Sequence, residues 1–188
     1  MKILLLLSGL ASSTQAVSAQ AIVEAPPIKR HLVSVGVFGL APTLGLEYEQ
    51  RLGKHLALAV QGARYFSKDY PGYQAALVGR YYFRALAPTG LYAQISAGAF
   101  RHDAQVRSEM PGSSGQSGPA KLRGNGAGLG LGYHLPLGPH LSLHAAVGLK
   151  FYFHDLGVKC DCSYVGDWYA IGQPGSLLDG QLGIGHAF

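Results

Sequence analysis

After its first ten residues the sequence holds no apolar run of the roughly 18 residues that a membrane-spanning helix needs, which excludes transmembrane helices. Charge is sparse, at 13% of residues, and Lys and Arg are scattered along the chain, so the net charge of +5 is a diffuse excess rather than the clustered surface of a nucleic-acid binder. Cysteine is confined to Cys160 and Cys162, within KCDCS. Glycine is plentiful instead, at 27 residues, with 11 Tyr and 7 Phe, a composition suited to strands and turns.

The first 21 residues, MKILLLLSGLASSTQAVSAQA, carry a basic start at Lys2, an apolar stretch from Ile3 to Leu10 and a small-x-small site, Val17-Ser18-Ala19. This is the pattern of a secretory signal peptide over residues 1–19, cut before Gln20 or after Ala21. No cysteine stands at the cut to take a lipid, and the apolar stretch is too short to span a bilayer. Residues 20–31 are expected to be a periplasmic N-terminal segment, and 32–188 one closed domain.

Beyond that point apolar residues recur at every second position, the period of a strand with two unlike faces. Eight segments follow: 32–40, 44–51, 56–66, 73–84, 91–101, 126–134, 141–154 and 176–188. Each is about the 9 to 11 residues of a tilted membrane strand, or near it. The connections LGKH, ALAPTG and LPLGPH are tight, and they alternate with two longer polar ones, 102–125 and 155–175. Short turns on one side and longer loops on the other describe an all-β, eight-stranded antiparallel up-and-down barrel with both termini at the short-turn end. SEMPGSSGQSGP, residues 108–119, has almost nothing to bury and is expected to be mobile.

Parity sorts the two faces. Leu77, Tyr81 and Phe83 share one side of their segment while Arg80, Tyr82 and Arg84 share the other; Leu143, Val147 and Phe151 oppose His144 and Lys150; Leu44 and Tyr48 oppose Glu47, Glu49 and Arg51. A soluble lipocalin-like carrier would turn the oily face inward, and a membrane barrel would turn it outward. Aromatic placement favours the second. Tyr48, Tyr81, Phe83, Tyr133 and Phe188 fall at segment ends beside the tight turns, and Phe66, Tyr73, Phe151 and Phe153 toward the other end, with aliphatic residues between. Two aromatic belts around an aliphatic band suit the two water-lipid interfaces.

The final segment, GQLGIGHAF, ends the sequence on Phe188, which is expected to close the last strand against the first. With the leader and the eight alternating segments, Gly183, Gly185 and Phe188 resemble the C-terminal strand signal of the small eight-stranded outer-membrane barrels, the type of the OmpA membrane domain and OmpX. The resemblance implies an outer-membrane location in a Gram-negative cell, insertion by the barrel-assembly machinery through that strand, and contact with outer-membrane lipid and lipopolysaccharide. It also implies a structural or surface-binding role, with 102–125 and 155–175 as the interaction surface.

Inside such a barrel the polar set Glu47, Glu49, Arg51, Gln61, Arg80, Arg84, His144, Lys150, Asp179 and Gln181 is expected to pair up and fill the lumen rather than line a channel. Arg64 and Arg101 fall on the oily side near the outer rim, where they either snorkel to headgroups or contact lipopolysaccharide phosphate. Some barrels of this size are lipid A-modifying enzymes; the candidates for such chemistry are Ser142 with His144, and His154 with Asp155 and Ser163, in orders that match no motif, so no catalytic residue is assigned. Cys160 and Cys162 suit a local, strained disulfide outside the cytoplasm. With His154 or Asp161 they fall short of a four-ligand metal site, and no cofactor is expected. Trp168, Tyr164 and Tyr169 either meet a partner or pack on the rim.

Overall fold

The computed structural model describes residues 29–84, 88–107, 117–156 and 168–188, with the side chains of 105–120 and 154–167 left out of the description. Eight strands run in chain order: β1 His31–Phe38, β2 Thr43–Arg51, β3 Leu56–Tyr65, β4 Gly72–Tyr82, β5 Gly90–Arg107, β6 Ser117–Pro136, β7 Leu141–Leu156 and β8 Leu178–Ala187. Every strand pairs antiparallel with its sequence neighbour, and β1 pairs with β8, so the sheet is a closed barrel. At the seam Val35 lies opposite Ile184, and Phe188 exchanges both backbone hydrogen bonds with His31, at 3.1 and 2.9 Å. Closure leaves the strands of the barrel wall without an open edge.

The period-2 sequence pattern appears directly as alternating burial, strict along β2 and β3. Outward positions are aliphatic or aromatic: Leu77 is 55% exposed, Ile95 70% and Val147 71%. Inward positions hold the charges, with Arg80, Glu47 and Glu49 each 1% exposed. Both ends of the outward face carry rings. Tyr48, Tyr81, Phe83, Tyr133 and Phe188 stand at the end that holds the termini, and Phe66, Tyr73, Phe151 and Phe153 toward the other, all exposed.

The loop expected at 102–125 is mostly strand. β5 and β6 stay paired from Gly90↔His134 to Arg107↔Ser117, well past the last β4 pair, Gly72↔His102, and the last β7 pair, Leu122↔Leu156. Here His102, Ala104 and Leu122 still point inward and are buried, but the outward partners are Asp103 and Lys121. Alternation persists while the outward face turns polar, which reads as loop from sequence. Of the expected mobile stretch 108–119, residues 117–119 belong to β6 and 108–116 lie outside the described residues. The stretch expected as loop at 155–175 likewise begins with strand, since β7 runs to Leu156.

Glycine makes room for the large inward rings. A Cβ on Gly132 would fall within the Tyr92 ring, and one on Gly175 within the Trp168 indole. Gly132→Ala is therefore expected to overpack the interior and cost about 1–3 kcal/mol, read as a lower urea midpoint of unfolding.

Candidate functional site: a sealed interior

The interior is built in layers. Nearest the termini, Tyr82 and Tyr92 pack with Ala57 and Ala146, and the Tyr82 ring stacks on His134 with centroids 6.0 Å apart. The Tyr82 hydroxyl donates to Glu49 Oε1 at 2.7 Å and lies 2.7 Å from His134 Nδ1. Because the phenol has one hydrogen and it is committed to the carboxylate, the second contact makes His134 Nδ1–H the donor to the phenol oxygen.

The next layer centres on Arg80. Its guanidinium grips Glu47 bidentately, Nη1 to Oε1 at 2.8 Å and Nη2 to Oε2 at 2.7 Å, and also pairs with Glu49 through Nη1. Nε donates to Gln94 Oε1 at 3.4 Å, Gln61 donates to Glu47 at 3.2 Å, and the Arg80 carbon lies 5.0 Å from the Tyr92 ring centre. Glu47 and Glu49 stand on β2 and Arg80 on β4, so the ion pairs reach across the lumen behind β3. A planar fork holding carboxylates from another strand is the geometry in which buried charges of opposite sign offset their desolvation.

Above it Lys150 pairs with Asp179 at 2.7 Å, and Gln181 donates to Asp179 at 3.3 Å. Between the two ionic layers lies a cavity of about 40 Å3, lined by Gln61, Gln74, Ser96, Lys150, Tyr152 and Asp179. That is space for a water or two, far below the volume a carrier barrel keeps for a ligand. The far mouth is closed by Trp168, which lies buried among Tyr70, Phe100, Tyr152 and Leu122 and edge-on to His102 at 5.2 Å. Tyr152 donates to the Pro174 carbonyl at 2.6 Å and ties the turn after Trp168 to β7. Of the three aromatics assigned to this loop, Trp168 packs into the mouth, Tyr169 is exposed and Tyr164 lies outside the described residues.

Of the ten residues assigned to the interior network, Glu47, Glu49, Gln61, Arg80, His144 and Gln181 are buried, and Lys150 and Asp179 are half-buried and paired. Two are placed elsewhere. Arg84 is exposed beyond the end of β4 at Tyr82, where alternation has stopped and parity no longer assigns a face. Arg51, the last residue of β2, is half-exposed at the rim and donates to the Gly53 carbonyl at 2.6 Å. Tyr92, His134 and His102 were missed as members of the interior although alternation places them there, each standing next to an outward residue; Tyr82, sorted to the polar side with Arg80, was left out of the network that it joins through Glu49.

Ser142 and His144 both point inward near the termini, yet the serine hydroxyl and both ring nitrogens lack a protein hydrogen-bond partner among the described residues, so they do not form a nucleophile-base pair. The side chains of His154 and Asp155, and all of Cys160, Asp161, Cys162 and Ser163, lie outside the described residues. Among the described residues no three His, Cys, Asp or Glu side chains are grouped to hold a metal.

A family model described as "Protein of unknown function (DUF3575)" matches residues 6–173. The chain belongs to the DUF3575 family. No curated protein matches the sequence of this DUF3575 member. Among solved structures it is similar to the N-terminal β-barrel domain of OprF from Pseudomonas aeruginosa, at 17% identity and a TM-score of 0.49, over 85% of this chain and 98% of that one. It is also similar to neisserial surface protein A, NspA, at 14% identity and a TM-score of 0.40, over 84% of this chain and 93% of that one.

Proposed function

We propose that this DUF3575 protein is an outer-membrane barrel of a Gram-negative bacterium, exported by a signal peptide, with a closed interior and a structural or surface-binding role. The observation that carries the reading is the inverted arrangement of the wall. Side chains such as Leu77, Ile95 and Val147 cover the outside while Arg80, Glu47 and Glu49 are enclosed. An apolar surface running round a closed sheet is stable in hydrocarbon and is a liability in water.

The surface role is supported by the β5–β6 ribbon, whose segments Asp103–Arg107 and Ser117–Lys121 extend past the strand pairing of β4 and β7. A projecting ribbon of this kind offers backbone groups to an extended partner strand. The layers at Arg80, Lys150 and Trp168 favour a filled barrel over a conducting one. Gly183 and Gly185 on β8, with Phe188 just after it, belong to the segment through which the assembly machinery would take up the chain.

Fractionation of expressing cells, followed by a gel run with and without boiling, tests the reading. The protein is expected in the outer-membrane fraction and should change mobility on boiling. Recovery in the soluble fraction without detergent, with no mobility change, would overturn it.

A further inference from the structure

Arg64, Tyr73, Arg101 and Arg123 stand in one cross-strand row, because Arg64 pairs with Tyr73, Tyr73 with Arg101 and Arg101 with Arg123 in the register of β3 to β6. We propose that this row is a binding site for the phosphate groups of a phosphorylated membrane glycolipid. The proposal rests on the membrane reading above and names the lipid that one side of the barrel would hold.

The row is concave. Arg64, Pro71, Gly72, Tyr73, Arg101 and Asp103 line a surface groove of about 290 Å3. Strands lie about 4.8 Å apart, so the backbones of Arg64 and Arg101 are separated by roughly 10 Å across Tyr73, a span that two long guanidinium side chains close onto one phosphate. Among the described residues neither arginine has a carboxylate within ion-pair distance, and Arg64 lies over the Phe66 ring at 5.9 Å. One described carboxylate stands nearby, that of Asp103, which lines the groove and faces Lys121 in register; the backbone of Asp155 pairs with that of Arg123. Lys121, Arg64, Arg101 and Arg123 therefore leave this patch with a positive excess.

Height and side both matter. Tyr73 and Tyr81 are eight residues apart on β4, about 26 Å along the strand and about 20 Å in height at a tilt of about 40°. With Tyr81 in one aromatic belt, the row lies at the level of the headgroups of the opposite leaflet. At the same end, β1, β2 and β8 present Val37, Leu44 and Leu178, all exposed and apolar. General snorkelling would place cations all round the rim; here they gather on β3, β5 and β6, with Tyr73 of β4 between them. Guanidinium groups bind phosphate through paired N–H donors, and the Tyr73 hydroxyl supplies another donor between them.

The test uses the full, folded chain in zwitterionic micelles, with diphosphoryl lipid A and fully dephosphorylated lipid A as probes and lipid retention read by native mass spectrometry. Wild type should retain the diphosphoryl form selectively. Arg64→Ala/Arg101→Ala should weaken retention by at least about tenfold while keeping the boiling-dependent gel shift, and Arg51→Ala, at the opposite rim, should leave it unchanged. Equal retention by the double variant, or equal retention of the dephosphorylated lipid by wild type, would overturn the site. A wild-type chain with no gel shift would overturn the membrane reading itself, so the two failures are told apart.

Discussion

Arg80→Met is expected to lower the unfolding free energy by about 3–5 kcal/mol, the largest loss from any single interior substitution. The side chain is fully enclosed and is the cation held by both Glu47 and Glu49. Met fills similar volume, so the loss comes from two carboxylates left buried without a counter-charge rather than from a cavity. The triple variant Glu47→Gln/Glu49→Gln/Arg80→Met should recover most of that stability, since it removes the charges together. Urea unfolding in micelles measures both. Equal instability of the single and triple variants would mean that the packing of the arginine, not its charge, holds this layer.

The second large effect is on the outside. Leu77 is 55% exposed and lies midway between Tyr73 and Tyr81 on β4. Leu77→Arg should cost about 2–4 kcal/mol, the depth-dependent penalty for a cation facing mid-bilayer hydrocarbon. Gln50→Arg, exposed beside the rim, should cost less than about 1 kcal/mol. On a water-facing surface the two substitutions would be alike, each within about 0.5 kcal/mol of neutral. Refolding into lipid vesicles followed by denaturant titration gives the difference, and a null difference would place Leu77 in water.

Strand number and the sorting of faces were legible because a wall with an apolar outward face and packed charge inside forces period-2 alternation on every strand. Leu44, Leu46 and Tyr48 against Glu47 and Glu49 show it within a few residues. The pairing of Arg80 with Glu47 and Glu49 was not legible, because those partners stand on strands separated by β3 and meet only through the closure of the barrel. The length of β5 and β6 was misread where Asp103 and Lys121 replaced apolar outward residues: hydropathy marks the band, while hydrogen-bonded pairing runs beyond it. Trp168 fills the mouth because rings from β5 and β7, Phe100 and Tyr152, converge there, a meeting that linear sequence does not display.

The central claim is tested most directly by putting a reporter on the wall. With the single tryptophan of the chain removed as Trp168→Phe, Val60→Trp places an indole in the middle row of the outward face, opposite Leu77. In vesicles whose acyl chains carry bromine near their midpoint, the protein should show blue-shifted emission that is strongly quenched. Emission at the wavelength of a water-exposed indole, indifferent to the brominated lipid in protein that still shifts on boiling, would contradict the account.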